Sequence, residues 1–432
     1  MKKYNVLVIG SGGREHAIAL KLSTSTLLDR LFVVPGNPGT ASFAENLPGN
    51  VLDFGNIAGI IREKSVDIVV VGPEDPLVHG LRDYLEAAGI LENVLFVGPG
   101  KSGARLEGSK DFAKGFMRRH GIPTAAYRTF SMEDREDAIA FMKTLDAPYV
   151  LKADGLAAGK GVLILDSIGE AVSALDEIFA GKFGHAGDKV VIEQYLKGIE
   201  VSFFAITDGH GYVLLPEAKD YKRAMDGDTG LNTGGMGAVS PVPFVTPDFR
   251  KKVEDRIIRP TIKGLEEEGT DYRGFIFFGL MDCAGDPYVI EYNVRMGDPE
   301  TEAVMSRVGS DLLAHLVAAA RGDVSGEEVS VLPCTALTGI VVSGGYPQAY
   351  GKGYAIDGIE ACASKAAVFH SGTAFRDGRT VTAGGRVLAV TVTSGTLAAA
   401  RELLYSALPD IKFENSYYRS DIGADMLKLS DK

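Results

Sequence analysis

Asn5-Val6-Leu7-Val8-Ile9-Gly10-Ser11-Gly12-Gly13-Arg14-Glu15-His16 is a short β-branched run that stops at a glycine turn and leads into a helical pattern. The pattern recurs outward from it. Runs at 31–34, 67–71 and 94–97 stop at Pro35-Gly36, Gly72-Pro73 and Gly98-Pro99-Gly100, with helical-period stretches between them. Strands alternating with helices predict βαβ units and a parallel sheet, whose ligands bind beyond the carboxyl ends of the strands. The loops at those ends, 10–16, 35–40 and 72–76, mix bare amides with Arg14, Glu15, Asn37, Glu74 and Asp75. That mixture suits a small phosphorylated polar ligand. A dinucleotide fold is excluded, because G-x-G-x-x-G requires glycine where Glu15 stands and an acidic ribose binder where Pro35-Gly36-Asn37 follows the second run.

The chain has 432 residues, enough for about two to four domains, and is 45% hydrophobic and 24% charged, an ordinary globular balance. Its 45 basic and 57 acidic residues give a net charge of -12. This argues against nucleic acid or an anionic membrane as partner, so anions must be held site by site. Cys283, Cys334 and Cys362 lie far apart, outside any C-x-x-C, and suggest neither a disulfide framework nor zinc. The apolar run at 6–9 is too short for a signal-peptide core, and no stretch approaches membrane-span length. A cytoplasmic protein is expected.

A second organisation begins near Lys110, after Leu106-Glu107-Gly108-Ser109. A helix at 111–120 leads to an apolar strand at 149–151 that closes on Lys152, a glycine-rich loop carrying Gly155, Gly159, Lys160 and Gly161, and a strand at 162–165. Such a hairpin folds over phosphates with its amides and lysine. It is not a Walker loop, since three residues rather than four precede Gly-Lys, and Gly161 replaces Ser or Thr. The apolar stretch at 190–196 offers backbone groups to a purine, and Glu200 is the ribose candidate. Residues 219–238 are predicted to form neither helix nor strand but a glycine-rich lid. In 288–300, strand alternation puts Glu291, Asn293 and Arg295 on one face, two hard oxygen ligands for Mg²⁺ and a guanidinium for a phosphate or carboxylate.

Gly10-Ser-Gly-Gly-Arg-Glu-His16, Pro35-Gly-Asn37, Gly72-Pro-Glu74, Leu106-Glu-Gly-Ser-Lys110, Lys152-Ala-Asp-Gly-Leu-Ala-Ala-Gly-Lys-Gly161, Asn232-Thr-Gly-Gly-Met-Gly-Ala238, Gly297-Asp-Pro-Glu-Thr301 and Gly384-Gly-Arg-Val-Leu388 together resemble the phosphoribosylamine-glycine ligase (glycinamide ribonucleotide synthetase) family of the ATP-grasp superfamily. The resemblance spans essentially the whole chain in order. It implies an α/β and α+β multidomain protein: a parallel-sheet pre-ATP-grasp domain at 1–108, a two-lobed ATP-grasp domain at 109–325 with a small lid lobe at about 123–192, and a small α+β domain at 326–432. It further implies ATP-dependent ligation of glycine to 5-phosphoribosylamine through a glycyl phosphate, with Mg²⁺ or Mn²⁺, in purine biosynthesis. The expected oligomeric state is a monomer or weak dimer.

By the same resemblance, Glu291 and Asn293 hold metal. ATP is held by Lys110, Lys152, Gly155, Gly159, Lys160, Gly161, Glu193, Tyr195, Leu196 and Glu200. Arg295, Gly297, Asp298 and Lys219 stand where the acyl phosphate reacts. The substrate lies on Gly12, Gly13, Arg14, Glu15, Asn37, Gly39, Thr40, Pro73, Glu74 and Asp75, covered by Asn232, Thr233, Gly234 and Gly235. Two features depart from the superfamily pattern. The strand before Glu291 lacks a second metal-binding acid, Asp282 coming late, and Pro216-Glu217-Ala218-Lys219 stands where uncharged polar residues are usual. Another ATP-grasp ligase or a carboxylase would change the amino-terminal loops. A non-catalytic nucleotide-binding regulator could lose the metal ligands.

Overall fold

The first strand, Tyr4–Gly10, is buried on both faces in the computed structural model of the chain, which describes residues 2–156 and 161–430. Val6 and Val8 share a core with Ile18 and Leu22 of the helix Gly13–Ser23. Leu7 and Ile9 share another with Ile57 and Ile61 of the helix Phe54–Glu63. A strand apolar at successive positions belongs inside a parallel sheet covered on both sides, and fully burying each such side chain contributes roughly 1.5–3 kcal/mol. The sheet order is Glu45–Asn46, Leu28–Pro35, Tyr4–Gly10, Ile68–Val71, Leu95–Val97, with all neighbours parallel. The chain reverses direction across the sheet at Tyr4–Gly10, so the crevice for ligands opens at Gly10, between Pro35 and Val71.

Three further sheets of four or five strands follow among the described residues. Tyr127–Ser131, Lys189–Gln194, Tyr149–Ala153 and Val162–Leu165 form an antiparallel sheet. Its Phe130, Leu151, Val190 and Ile192 pack with Ala138, Met142, Ala171 and Leu175 of two helices. Period-two alternation then turns Lys152 and Glu193 to the opposite face. A second antiparallel sheet runs Tyr212–Leu214, Ile199–Thr207, Gly274–Cys283, Asp286–Asn293.

The third sheet joins distant parts of the chain. Its order is Lys219–Asp220, Gly237–Ser240, Thr335–Val342, Arg386–Ser394, Ala367–His370. Residues 219–238, expected to lack regular structure, therefore contribute two strands to it and a hairpin, Arg223–Met225 with Thr229–Asn232. Glycines there do not break the ladder because Gly237 pairs with Gly339, and a Cβ at Gly237 would lie 2.6 Å from the Thr338 carbonyl. Among the described residues no helix is long and apolar enough to cross a membrane.

Candidate active site

The register of Asp286–Asn293 slips at one point. Gly279 pairs with Glu291 but Leu280 with Val289, so Ile290 is an extra residue, a β-bulge. The bulge resets the alternation so that Val289, Tyr292 and Val294 are buried in one core while Glu291, Asn293 and Arg295 share the other face. Burial raises the Glu291 carboxyl, but the cations of Lys222, Lys152, Lys110 and Arg295 outweigh it and hold the group below the ordinary range. A carboxylate kept charged beside a carboxamide fits Mg²⁺ or Mn²⁺, which complete their shells with phosphate oxygens and water. Among the described residues no group of three acids, histidines or cysteines is arranged to hold a metal unaided. Asp282 is occupied elsewhere, accepting from Gly285 N at 2.6 Å in the hairpin turn.

Lysines gather beside Glu291. Lys152 Nζ lies 2.9 Å from Glu193 Oε1, and Lys114 Nζ lies 2.9 Å from Glu193 Oε2, all three side chains being buried. Lys152 also donates to Ile290 O at 3.2 Å, so the bulge presents a carbonyl to it. Burial lowers Lys114 to about 8 against the pull of Glu193. Lys110, first residue of the helix Lys110–Arg119, donates to Gly155 O at 3.1 Å. Ser109 caps that helix by accepting from Phe112 N at 3.1 Å. The Glu193 carboxylate is buried between two lysines, which leaves its backbone, as expected of the stretch at 190–196, as the part that could meet a purine. Tyr195 and Leu196 follow in the connection to Ile199–Thr207. Gly159 and Lys160 lie outside the described residues.

Arg295 reaches into the amino-terminal crevice. Its Nε donates to Glu74 Oε2 at 3.1 Å, one terminal nitrogen to Met296 O at 3.1 Å and the other to Glu107 Oε1 at 2.7 Å. Three of five guanidinium donors are thereby taken. Burial raises Glu74, but Arg295 and Arg14 overcome it and hold the carboxyl down at about 2. Burial pushes Glu107 up to about 7, with Arg295 opposing. Glu107 also accepts from Val294 N at 2.8 Å. The Asn293 amide is assigned with its nitrogen toward Glu107 Oε1 (3.0 Å) and Tyr292 O (3.3 Å), because both neighbours are acceptors and of the two amide atoms only the nitrogen donates.

Several predicted substrate amides are already engaged. Glu15 accepts from Gly12 N at 2.6 Å and from Arg14 Nε at 2.5 Å. A Cβ at Gly10 or Gly72 would lie 2.4 or 2.2 Å from the Glu15 side chain, which is why glycine stands at both. Asn37 Oδ1 accepts from Gly39 N at 2.9 Å and Thr40 N at 3.0 Å, and its Nδ2 donates to Ser11 O at 2.9 Å and His370 O at 2.8 Å. In this conformation Gly12, Gly39 and Thr40 therefore offer no bare N–H, and Asn37 pins three chain segments. Gly13 heads its helix, where a Cβ would lie 2.3 Å from Glu302 Oε1. Pro73 precedes the short helix Glu74–Val78, and Asp75 is exposed.

Lys219 departs from its expected place. It is paired with Asp425 at 3.2 Å and lies 3.6 Å over the Tyr221 ring. Its neighbours Asp220 and Lys222 take the cleft side, where Lys222 pairs with Glu200 and the charge of Glu291 acts on both. Strand alternation in 219–222 would have signalled this, had the segment been read as extended. Thr233, Gly234 and Gly235 lie beside Asp298 and Pro299. Thr233 Oγ1 accepts from Gly235 N at 2.9 Å, and a Cβ at Gly235 (φ 115°) would lie 2.4 Å from Pro299. Arg386 fastens them, donating to Gly234 O at 2.6 Å and Asp298 O at 2.8 Å and pairing with Asp298 Oδ1 at 3.1 Å. Gly297 O accepts from Thr301 Oγ1, and Asn232 closes the hairpin. Arg386 and Glu107 were not foreseen as site residues.

This geometry can be set beside known proteins. Profiles of the phosphoribosylglycinamide synthetase N, ATP-grasp (A) and C domains match residues 4–107, 108–301 and 336–425. The phosphoribosylamine--glycine ligase of Rhizobium meliloti (strain 1021) is 48% identical over 97% of both chains. The chain belongs to the phosphoribosylamine-glycine ligase family. Family members from Pseudomonas aeruginosa (45% identity, 97% of both chains) and Chlorobaculum tepidum (45%, 98% of this chain and all of the other) agree. The crystal structure of the Thermotoga maritima ligase superposes with a TM-score of 0.85 at 38% identity, covering 97% of this chain and 100% of that one. A biotin carboxylase domain from Hydrogenobacter thermophilus, at 18% identity and a TM-score of 0.73, shares the fold alone.

Proposed function

We propose that the chain ligates glycine to 5-phosphoribosylamine, converting ATP to ADP and phosphate and yielding glycinamide ribonucleotide for purine biosynthesis. One observation carries the reading: Arg295 shares a strand face with Glu291 and Asn293 and is bonded to Glu74, at the head of the short helix that follows the strand Ile68–Val71, so the phosphate end and the crevice meet at a single guanidinium. Glycine carboxylate is a poor electrophile until phosphorylated, and phosphoryl transfer asks the protein for positioning and charge neutralisation. Lys110 and Lys152 neutralise phosphate charge. The two remaining donors of Arg295 take the glycine carboxylate, and Glu74 faces an ammonium or amine. Lys222 and Glu200 stand at the ribose side, with the backbone of 193–196 at the purine. A divalent ion on Glu291 and Asn293, Mg²⁺ or Mn²⁺, would draw off charge from the transferred phosphoryl group.

The proposed division of labour assigns residues 1–108 to the ribosylamine, 109–325 to ATP and 326–432 to closing the cleft through Arg386. The protein is proposed to work in the cytoplasm as a monomer or weak dimer. Purified protein should release ADP only when glycine and freshly generated phosphoribosylamine are both supplied. Equal turnover with bicarbonate, or with another amino acid in place of glycine, would overturn the assignment.

A further inference from the structure

We propose that Glu107 is a positioning residue, which sets both the ligand orientation of Asn293 and the fork of Arg295. The inference rests on the functional reading above but concerns a side chain with no assigned role. Glu107 is buried near the end of the helix Lys101–Gly108, from which it crosses to the polar strand. One oxygen accepts from Arg295 at 2.7 Å and stands 3.0 Å from the Asn293 amide atom that its acceptor neighbours assign as nitrogen; the other accepts from Val294 N at 2.8 Å. A carboxamide has one oxygen for a metal, and only a partner that accepts from its nitrogen fixes which way it faces. A carboxylate, an acceptor on both oxygens, meets three successive donors of residues 293–295 at once. No neutral side chain of this length does so.

The test is Glu107→Gln, which keeps shape and removes one acceptor. Mn²⁺ binding, read by electron paramagnetic resonance in the presence of a non-hydrolysable ATP analogue, should weaken roughly tenfold to a hundredfold, the scale for losing the partner of a metal ligand. The KM for glycine should rise while that for ATP moves less. The double variant Glu107→Gln with Asn293→Asp keeps the net charge and reverses the donor and acceptor between the two side chains. It should recover Mn²⁺ affinity yet keep the raised glycine KM, because an amide nitrogen cannot accept from Arg295. A side chain that merely fills space would show no such split. Unchanged Mn²⁺ affinity in Glu107→Gln, or failure of the double variant to regain it, would overturn the inference. Mn²⁺ binding insensitive to Glu291→Gln as well would bring down the metal reading of the strand, and this inference with it.

Discussion

Two charged triads in this molecule are electrostatic inverses. Around Glu193 one carboxylate lies between two ammoniums, Lys114 and Lys152. Around Arg295 one guanidinium lies between two carboxylates, Glu74 and Glu107. Counted by itself each triad is one charge from balance, in opposite directions, although Arg14 also acts on Glu74 and Lys152 on Glu291, and removing charge from water is costly unless the partners match. The first awaits an anion, as a polyphosphate would supply; the second awaits a cation, as an ammonium or amine would supply. A ligase that phosphorylates an acid and joins it to an amine needs both, and the strand of Glu291 and Arg295 runs from one to the other.

The comparison breaks most visibly at its centres. Glu193→Gln leaves two lysines without their carboxylate and should cost about 3–5 kcal/mol of folding stability, read from the denaturant midpoint; a midpoint within error of the parent would mean the lysines are not charged there. Lys152→Met leaves the balanced pair of Lys114 and Glu193, so stability should hold while kcat/KM falls roughly 10²–10³-fold, as when one charge-stabilising donor is removed. Loss of stability without loss of rate would reverse the roles given to the two residues. On the opposite triad, Glu74→Gln should raise the KM for one amine substrate about tenfold, equivalent to about 1.4 kcal/mol, with the KM for ATP unmoved.

That variant also has a pH signature. The Glu74 carboxyl, held at about 2 when folded, contributes stability that is present above its ordinary range near 4.5 and lost as pH falls toward 2. Thermal midpoints of Glu74→Gln should lack this part of the acid decline. The smallest effect is expected at an uncharged contact between the amino- and carboxyl-terminal regions. Burial lowers His16 to about 3, helped by His370, and lowers His370 to about 4. His16 Nδ1 accepts from His370 N at 2.9 Å. A group depressed in this way contributes stability that is complete above pH 6.5 and is lost as pH falls through the folded values. His16→Gln should flatten the slope of thermal midpoint against pH between 6.5 and 4; an unaltered slope would show that this pair stays outside the acid transition.

What could be read in advance follows the range of the interactions. Strands of the first sheet announce themselves by contiguous β-branched residues and glycine stops, and the polar face of Glu291, Asn293 and Arg295 by alternation. The bulge at Ile290 left that alternation readable because it falls just before Glu291. Segments at 219–220 and 237–240 have no such local signal. Gly237–Ser240 pairs with Thr335–Val342 and Lys219–Asp220 pairs with Gly237–Ser240 in turn, and a glycine-rich stretch looks like loop until the distant partner is known. Glu107 reads as a polar residue at a helix end, and only tertiary contact buries it. Lys219 is expected at the reacting centre from the resemblance, whereas its pairing with Asp425 depends on the last helix, Ala424–Ser430.

The sheet shared across 219–240 and 335–394 bears on how this protein can be cut. A chain ended before Thr335 would leave the ladder edge of Gly237–Ser240 unpaired, and an exposed edge is a template for association with other chains. It would also lose Arg386, which fastens the lid to Asp298. The carboxyl-terminal region is therefore not a detachable module, and a functional split of the gene product has to fall elsewhere, at an exposed hairpin turn such as Asp377-Gly378 between Thr373–Arg376 and Arg379–Thr382.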